Sequence, residues 1–187
     1  MNSKKTDRRI RYTKMMLRQS LIELLEEKNI SKITIKEICE RADINRGTFY
    51  SHYGDQYELL KEIEANVTAE IMEYISGYSF PADESDSLKM MERIIKYISN
   101  NKRLCMILLD ESGDRDFVKN LIAIVKKQFI GSAGTQSIKE EYLYCFAAIG
   151  SIGLLEKWLR DGMKIPSRDI AGMVIKLSGR GLSAYKS

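Results

Sequence analysis

Along most of the chain, apolar residues recur every three or four positions, the spacing of one face of an α-helix. Alternation of useful strand length is absent from the pattern. Leu17, Leu21, Leu24 and Leu25 form one such stripe and predict a helix over Lys14–Lys28, which "NISKI" interrupts. Thr34-Ile35-Lys36-Glu37 then carries the spacing of a capping box, in which the two side chains satisfy free amides at a helix start. A second helix is expected from Thr34, with Ile35, Ile38, Cys39 and Ala42 facing inward. "DIN" reads as a turn, and Asn45 is suited to cap a third helix over Arg46–Tyr53. Gly54 should stop it, and Asp55 should cap a long helix to about Ser76. After a loop at Gly77–Ser87, helices are expected over Ser87–Asn100, Lys102–Leu109, Arg115–Ile130 and Ile138–Gly162, separated by "NN", "DESGD" and "GSAGTQS". A last one, Ser167–Tyr185, follows Pro166. The expected fold class is all-α with about nine helices. Residues 1–54 hold a helix-turn-helix domain and residues 55–187 a second helical domain.

Composition narrows the function classes. At 187 residues, 44% of them hydrophobic and two of them proline, the chain can bury an ordered core. Its longest apolar run, "FAAIGSIGLL", is about half of a membrane span, so no membrane partner is expected. The basic start is not followed by the apolar stretch of a secretion signal. Three widely spaced cysteines (Cys39, Cys105 and Cys145) fit buried thiols in a reducing cytoplasm, without a disulfide framework or zinc site. Charge is uneven: residues 1–53 hold 12 Lys/Arg against 7 Asp/Glu, and residues 54–187 hold 18 against 19. An excess confined to the first third points to an anionic partner such as nucleic acid. The single histidine, His52, excludes a His-based metal cluster and leaves little for Ser-His-Asp chemistry. "GSAGTQS" lacks the lysine and spacing of a phosphate-binding loop, and "DESGD" reads as a solvated acidic loop. Neither an enzyme, nor a cofactor, nor a metal is expected.

The third helix has an unusual composition for a core element. At about 100° per residue, Phe49 and Tyr53 share one face and should pack inward. Gly47, Thr48 and Ser51 lie opposite, with Arg46 and Tyr50 on one flank and His52 on the other. That face is small, polar and rich in hydrogen-bonding groups, as a groove-binding surface requires. Gly47 lets a backbone approach a phosphate, and free amides at the helix start can meet it. Arg46 and Thr48 can read or brace base edges, while Tyr50 and His52 can donate to phosphates. On the residues alone, Tyr50 is also compatible with the core and His52 with an idle surface position.

"ITIKEICERADINRGTFYSHYGDQYELL" resembles the DNA-binding domain of the TetR family of bacterial transcriptional regulators, over roughly Ile10 to Leu60. The resemblance implies DNA contacts from Thr34, Lys36, Asn45, Arg46, Gly47, Thr48, Tyr50, Ser51 and His52 on double-stranded DNA. Where the family often carries a phosphate-gripping lysine, this chain has Gln56 and Tyr57, which leaves more to a basic arm of Lys4, Lys5, Arg8, Arg9 and Arg11. "AAIGSIGLLEKWLRDGMKIPSRDIAGMVIKL" resembles the last two helices of a Firmicutes-type subgroup that includes regulators related to the dihydroxyacetone kinase coactivator. The TetR family resemblance implies a homodimer on a palindromic operator, most often a repressor, here in the reducing cytoplasm that the cysteines suggest, and answering to a small-molecule effector or, as the subgroup likeness adds, a protein one. The alternative is a coactivator acting through a protein partner. Small residues at Ala147, Ala148, Gly150 and Gly153 allow close helix approach. The implied dimer seam comprises Tyr142, Phe146, Ile149, Gly150 and Gly153 with Ile170, Val174 and Leu177. Met90, Met91, Cys105, Met106, Phe117, Phe129, Tyr142, Tyr144, Phe146 and Trp158 suit either a filled core or an effector pocket.

Overall fold

The computed structural model describes residues 3–76, 83–109, 115–130 and 138–183, except for the side chains of 3–6, 115–116, 127–130, 140 and 179–183. "DESGD", "GSAGTQS", most of the loop after Ser76 and the end of the last helix at Tyr185 lie outside these residues, as do the side chains of Lys4, Lys5 and Phe129. Among the described residues there are nine α-helices and no strand. They are α1 (Ser3–Glu27), α2 (Ile35–Ala42), α3 (Arg46–Tyr50), α4 (Gln56–Ser76), α5 (Glu84–Asn100), α6 (Lys102–Leu109), α7 (Arg115–Ile130), α8 (Ile138–Arg160) and α9 (Ser167–Ser183). The fold is all-α. The chain divides into two compact units, Met1–Val67 and Thr68–Ser187.

In the first unit Leu17, Leu21 and Leu24 of α1 pack with Ile38, Cys39 and Ala42 of α2, Phe49 of α3, and Leu59, Leu60 and Ile63 of α4, all buried. Each large apolar side chain withdrawn from water in this way contributes about 1.5–3 kcal/mol. Leu25 and Ile35, at the edges of their stripes, are only half-buried. Ion pairs brace α2 against α1: Arg41 meets Glu27 at 2.7 Å, and Lys28 meets Glu37.

The capping box forms as expected. Thr34 Oγ1 accepts from the Glu37 amide at 3.3 Å, and the Glu37 carboxylate accepts from the Thr34 amide at 2.9 Å. The ammonium of Lys28, then the amide and hydroxyl of Thr34, hold the Glu37 carboxyl at about 2, well below an ordinary 4.5. A depressed carboxylate contributes its stability above the unfolded-state value and loses it as pH falls through the folded one. The thermal midpoint should therefore drop as pH is lowered from about 4.5 towards 2. Glu37→Gln should lower the midpoint at neutral pH and shrink that acid-dependent drop, as circular dichroism melts would register. A variant with the wild-type acid profile would show that Glu37 has no part in it.

Three helix ends differ from the sequence expectation by three residues or more. The first helix begins at Ser3 rather than Lys14, its polar opening turns supported by an Asp7–Arg11 pair one turn apart at 3.4 Å. Regular α3 ends at Tyr50 rather than Tyr53: the Ser51 amide still makes an ordinary helical bond to Gly47 O at 3.1 Å, and a tighter bond from the His52 amide to Phe49 O at 2.9 Å carries the turn onward. The fifth helix starts at Glu84 rather than Ser87. Asp83 caps it by accepting from the Asp86 amide at 2.7 Å, and Glu84 and Asp86 favour the positive end of the helix dipole.

In the second unit α9 packs on α5 and α8, and α6 packs on α8. Met90, Ile94, Ile95 and Ile98 of α5 and Ile170, Ala171 and Val174 of α9 are buried. A left-handed turn at Gly162 (φ 81) and Met163 (φ 60) closes α8, with the Met163 amide reaching Trp158 O at 2.9 Å. The Trp158 indole N–H, which burial would otherwise leave without a partner, donates to Ile165 O at 2.7 Å. Cys39 and Cys105 are buried, but Cys145 is exposed, which corrects the expectation that all three thiols are buried. It lies on a stretch of α8 that the described residues of the chain do not cover.

Candidate nucleic-acid interface

The turn between α2 and α3 is made by backbone geometry that the sequence encodes locally. Asp43 takes the left-handed conformation (φ 53) that terminates helices, and the Ile44 amide bonds back to Cys39 O at 2.9 Å. Aspartate tolerates this conformation better than most side chains. Two residues on, Asn45 caps α3 by accepting from the Gly47 amide at 2.6 Å. This amide is therefore already satisfied, which removes it from the free amides expected at the helix start. A Cβ added at Gly47 would stand 3.2 Å from the same Asn45 oxygen, closer than ordinary contact, so glycine leaves the cap unhindered.

Phe49 and Tyr53 face inward: the Phe49 ring is fully buried and lies 5.7 Å from that of Tyr53. Arg46, Gly47, Tyr50 and Ser51 are exposed, while Thr48 and His52 are half-buried. Tyr50 is 58% exposed and meets only the edge of Phe49, with ring centroids 5.8 Å apart, so it is not a core aromatic. The Ser51 hydroxyl donates to Thr48 O at 2.7 Å. Thr34 and Lys36, at the start of α2, are exposed too, with Lys36 loosely paired to Glu40 at 3.7 Å. On α1, Arg8, Arg9 and Arg11 are exposed.

One cluster has no counterpart in the sequence expectation. The Tyr53 hydroxyl donates to Glu62 Oε1 at 3.0 Å, Lys14 Nζ donates to Glu62 Oε2 at 2.7 Å, and the same ammonium lies 5.3 Å from the centre of the Tyr53 ring. Burial opposes ionisation of Glu62, yet the bonds from Lys14 and Tyr53 outweigh it and hold the carboxyl below its usual range. Burial, then the bond to Glu62, push the Tyr53 phenol well above its ordinary value. The only sequence signal is a tyrosine where a phenylalanine would fill the same space.

The residues assigned to the seam in the second unit separate into two groups. Tyr142, Phe146 and Ile149 of α8 and Leu177 of α9 are exposed by 75%, 80%, 58% and 69%. Gly150 and Gly153 are exposed as well, and a Cβ at either would meet nothing within 4 Å. Ile170 and Val174 are instead buried within the chain, which corrects their assignment: they face α5 and α8 and leave the outer side of α9 to Met173 and Leu177. Of the Met and aromatic set, Met90, Cys105, Phe117 and Trp158 are core residues, whereas Met106 is exposed. An open groove between α5 and α9 is lined by Ser85, Leu88, Lys89, Glu92, Lys96, Ser167 and Arg168. Among the described residues no three His, Cys, Asp or Glu side chains are grouped to hold a metal, and no helix is long and apolar enough to cross a membrane.

Comparison with known proteins agrees with this geometry. A family model described as bacterial regulatory proteins, tetR family, matches residues 19–63, and one described as transcriptional regulator C-terminal region matches residues 85–179. The HTH-type transcriptional regulator YxbF of Bacillus subtilis is 28% identical over 173 residues, which are 90% of this chain and 45% of that protein. The chain thus spans about half the length of that curated relative. A TetR transcriptional regulator from Streptococcus agalactiae has the same fold, with a TM-score of 0.69 at 23% identity over 94% of this chain and 98% of that one. The dihydroxyacetone kinase operon activator DhaS does so at 0.57 and 17% identity, over 94% and 98% of the two chains. Members of the family so matched are DNA-binding regulators rather than enzymes, and they typically act as dimers. A helix-turn-helix matched by one family model and a helical second unit matched over half the chain by another place this protein in the TetR family of bacterial transcriptional regulators.

Proposed function

We propose that the chain is a cytoplasmic repressor that binds a palindromic operator as a homodimer and is released or recruited through its second domain. Residues 1–54 supply the DNA contacts, on a core completed by Leu59, Leu60 and Ile63 of α4, and the rest of residues 55–187 dimerises and receives the signal. Arg46 and Thr48 face base edges. Tyr50, Ser51, His52, Thr34 and Lys36 hold the phosphates on either side, and Asn45 and Gly47 shape the start of α3. The observation that carries the reading is the exposure of Arg46, Tyr50 and Ser51 beside a Phe49 that is completely buried. That division leaves a polar, hydrogen-bonding face free for a groove.

Nuclease footprinting on the DNA upstream of the gene tests it: a protected inverted repeat is expected, and uniform protection would overturn the reading. Tyr50→Ala should weaken operator binding by about 1.5–3 kcal/mol per subunit, the range of a hydrogen bond to a charged group. It should leave the melting curve nearly unchanged, because the ring is mostly in water. Melting of the domain together with normal binding by the folded fraction would return Tyr50 to the core.

A second reading, a coactivator that works through a protein partner, draws support from the groove between α5 and α9. It is open and lined by Lys89, Glu92, Lys96 and Arg168, which suits a charged protein surface better than an apolar small molecule.

A further inference from the structure

The recognition helix is five residues long and has little packing surface of its own, with Phe49 as its one buried anchor. A single anchor fixes position but not rotation. Three residues beyond the helix end lies the Tyr53 ring, buried beside Phe49, with its hydroxyl on Glu62 of α4 at 3.0 Å. The other oxygen of that carboxylate binds Lys14 of α1 at 2.7 Å. One carboxylate therefore joins three separate elements at the trailing end of α3. A phenylalanine at this position would bury as much apolar ring, so the hydroxyl is not needed to fill the core. Its bond has direction, which apolar contact lacks.

We propose that Tyr53, Glu62 and Lys14 form a positioning triad that sets the angle at which α3 is presented, and so governs discrimination between DNA sequences rather than affinity for DNA in general. Phosphate contacts from long, flexible side chains tolerate a small rotation of the helix, whereas bonds to base edges do not. Loss of the hydroxyl or of the charge should therefore lower binding to the preferred sequence while sparing non-specific binding. The inference rests on the reading of α3 as the contact face.

The test uses the full chain and two duplexes of equal length, one selected by the wild-type protein from a random-sequence pool and one scrambled. Tyr53→Phe should reduce the ratio of selected to scrambled affinity about five- to tenfold, a coupling of ordinary size for groups in one network. Scrambled affinity and helicity should stay at wild-type levels. Glu62→Gln should act similarly, and the double variant should be no worse than the poorer single one, because the hydroxyl and carboxylate act as one unit. Should Glu62→Gln lose helicity, Lys14→Met takes its place in the cycle. A wild-type ratio for Tyr53→Phe, or equal weakening on both duplexes, would overturn the triad's role. Arg46→Ala separates the two ideas: if it keeps the wild-type ratio while Tyr53→Phe loses it, the assignment of Arg46 to base edges fails, while α3 remains the contact face and the triad stands.

Discussion

Gly153→Glu is expected to yield monomers and to reduce operator binding at least a hundredfold, while the first unit stays folded. Tyr142, Phe146, Ile149, Gly150 and Gly153 fall within an arc of about 100° on α8, given 100° per residue. Three of the five are large apolar side chains left mostly in water, and Leu177 and Met173 of α9 are exposed as well. A contiguous apolar strip of this kind marks an interaction surface. The two glycines lower the strip's profile so that a second helix can approach, and among the described residues nothing beyond the adjoining backbone of α8 itself lies within 4 Å of a Cβ placed at either. Glutamate at 153 thus meets no obstacle inside the subunit, and it is a better helix former than glycine by about 0.5–1 kcal/mol. Its charge becomes costly only when a partner removes it from water. Two linked heads can exceed the affinity of one by 10²–10⁴, so on the order of a hundredfold is the smallest loss expected on separation. Sedimentation and footprinting read the two effects separately. A variant that sediments as a dimer and still protects an inverted repeat would eliminate this seam.

Replacing Arg8, Arg9 and Arg11 together with glutamine is expected to weaken binding to all DNA sequences alike. All three are exposed, and the ion pair of Arg11 with Asp7 leaves both side chains largely in water. Such a pair contributes little and yields easily to a phosphate. For every phosphate that the variant no longer touches, the slope of log affinity against log salt should fall by about 0.9, which at 0.1 M salt is about an eightfold loss. Selected and scrambled duplexes should suffer equally, so this variant leaves the sequence preference intact where Tyr53→Phe erodes it. An unchanged salt slope would show that the arm stays in solvent. Lys4 and Lys5 belong to the same basic stretch.

Local chemistry is the most legible part of the sequence. The Thr34–Glu37 capping box, the Asn45 cap and the inward turn of Phe49 and Tyr53 each depend on residues within four positions of one another, and each appears as expected. The opening of α1 escapes detection because Asp7 to Tyr12 are all exposed, and a helical stretch with no buried face has no apolar period. Asp83 reads as loop because the same acidic and polar residues that cap a helix also fill loops. On α9, Val174 and Leu177 are both apolar and one turn apart, yet one is buried and the other 69% exposed. Periodicity identifies a stripe but not what covers it. The triad lies furthest from view, since Lys14 and Glu62 are 48 positions apart and charged residues on helices usually face water.

That α1 is helical from Ser3 gives the arm the stiffness of a rod. A limp basic tail can lay every arginine along the same line of phosphates, whereas a rod holds its side chains at fixed bearings. Arg8 and Arg11 lie about 60° apart around the axis, but Arg9 points about 160° away from Arg11. A rod laid against one strand can bring the first two to it and leaves Arg9 on its far side. The three arginines are thereby unequal, and the chain loses reach while avoiding the entropy of ordering a tail on DNA.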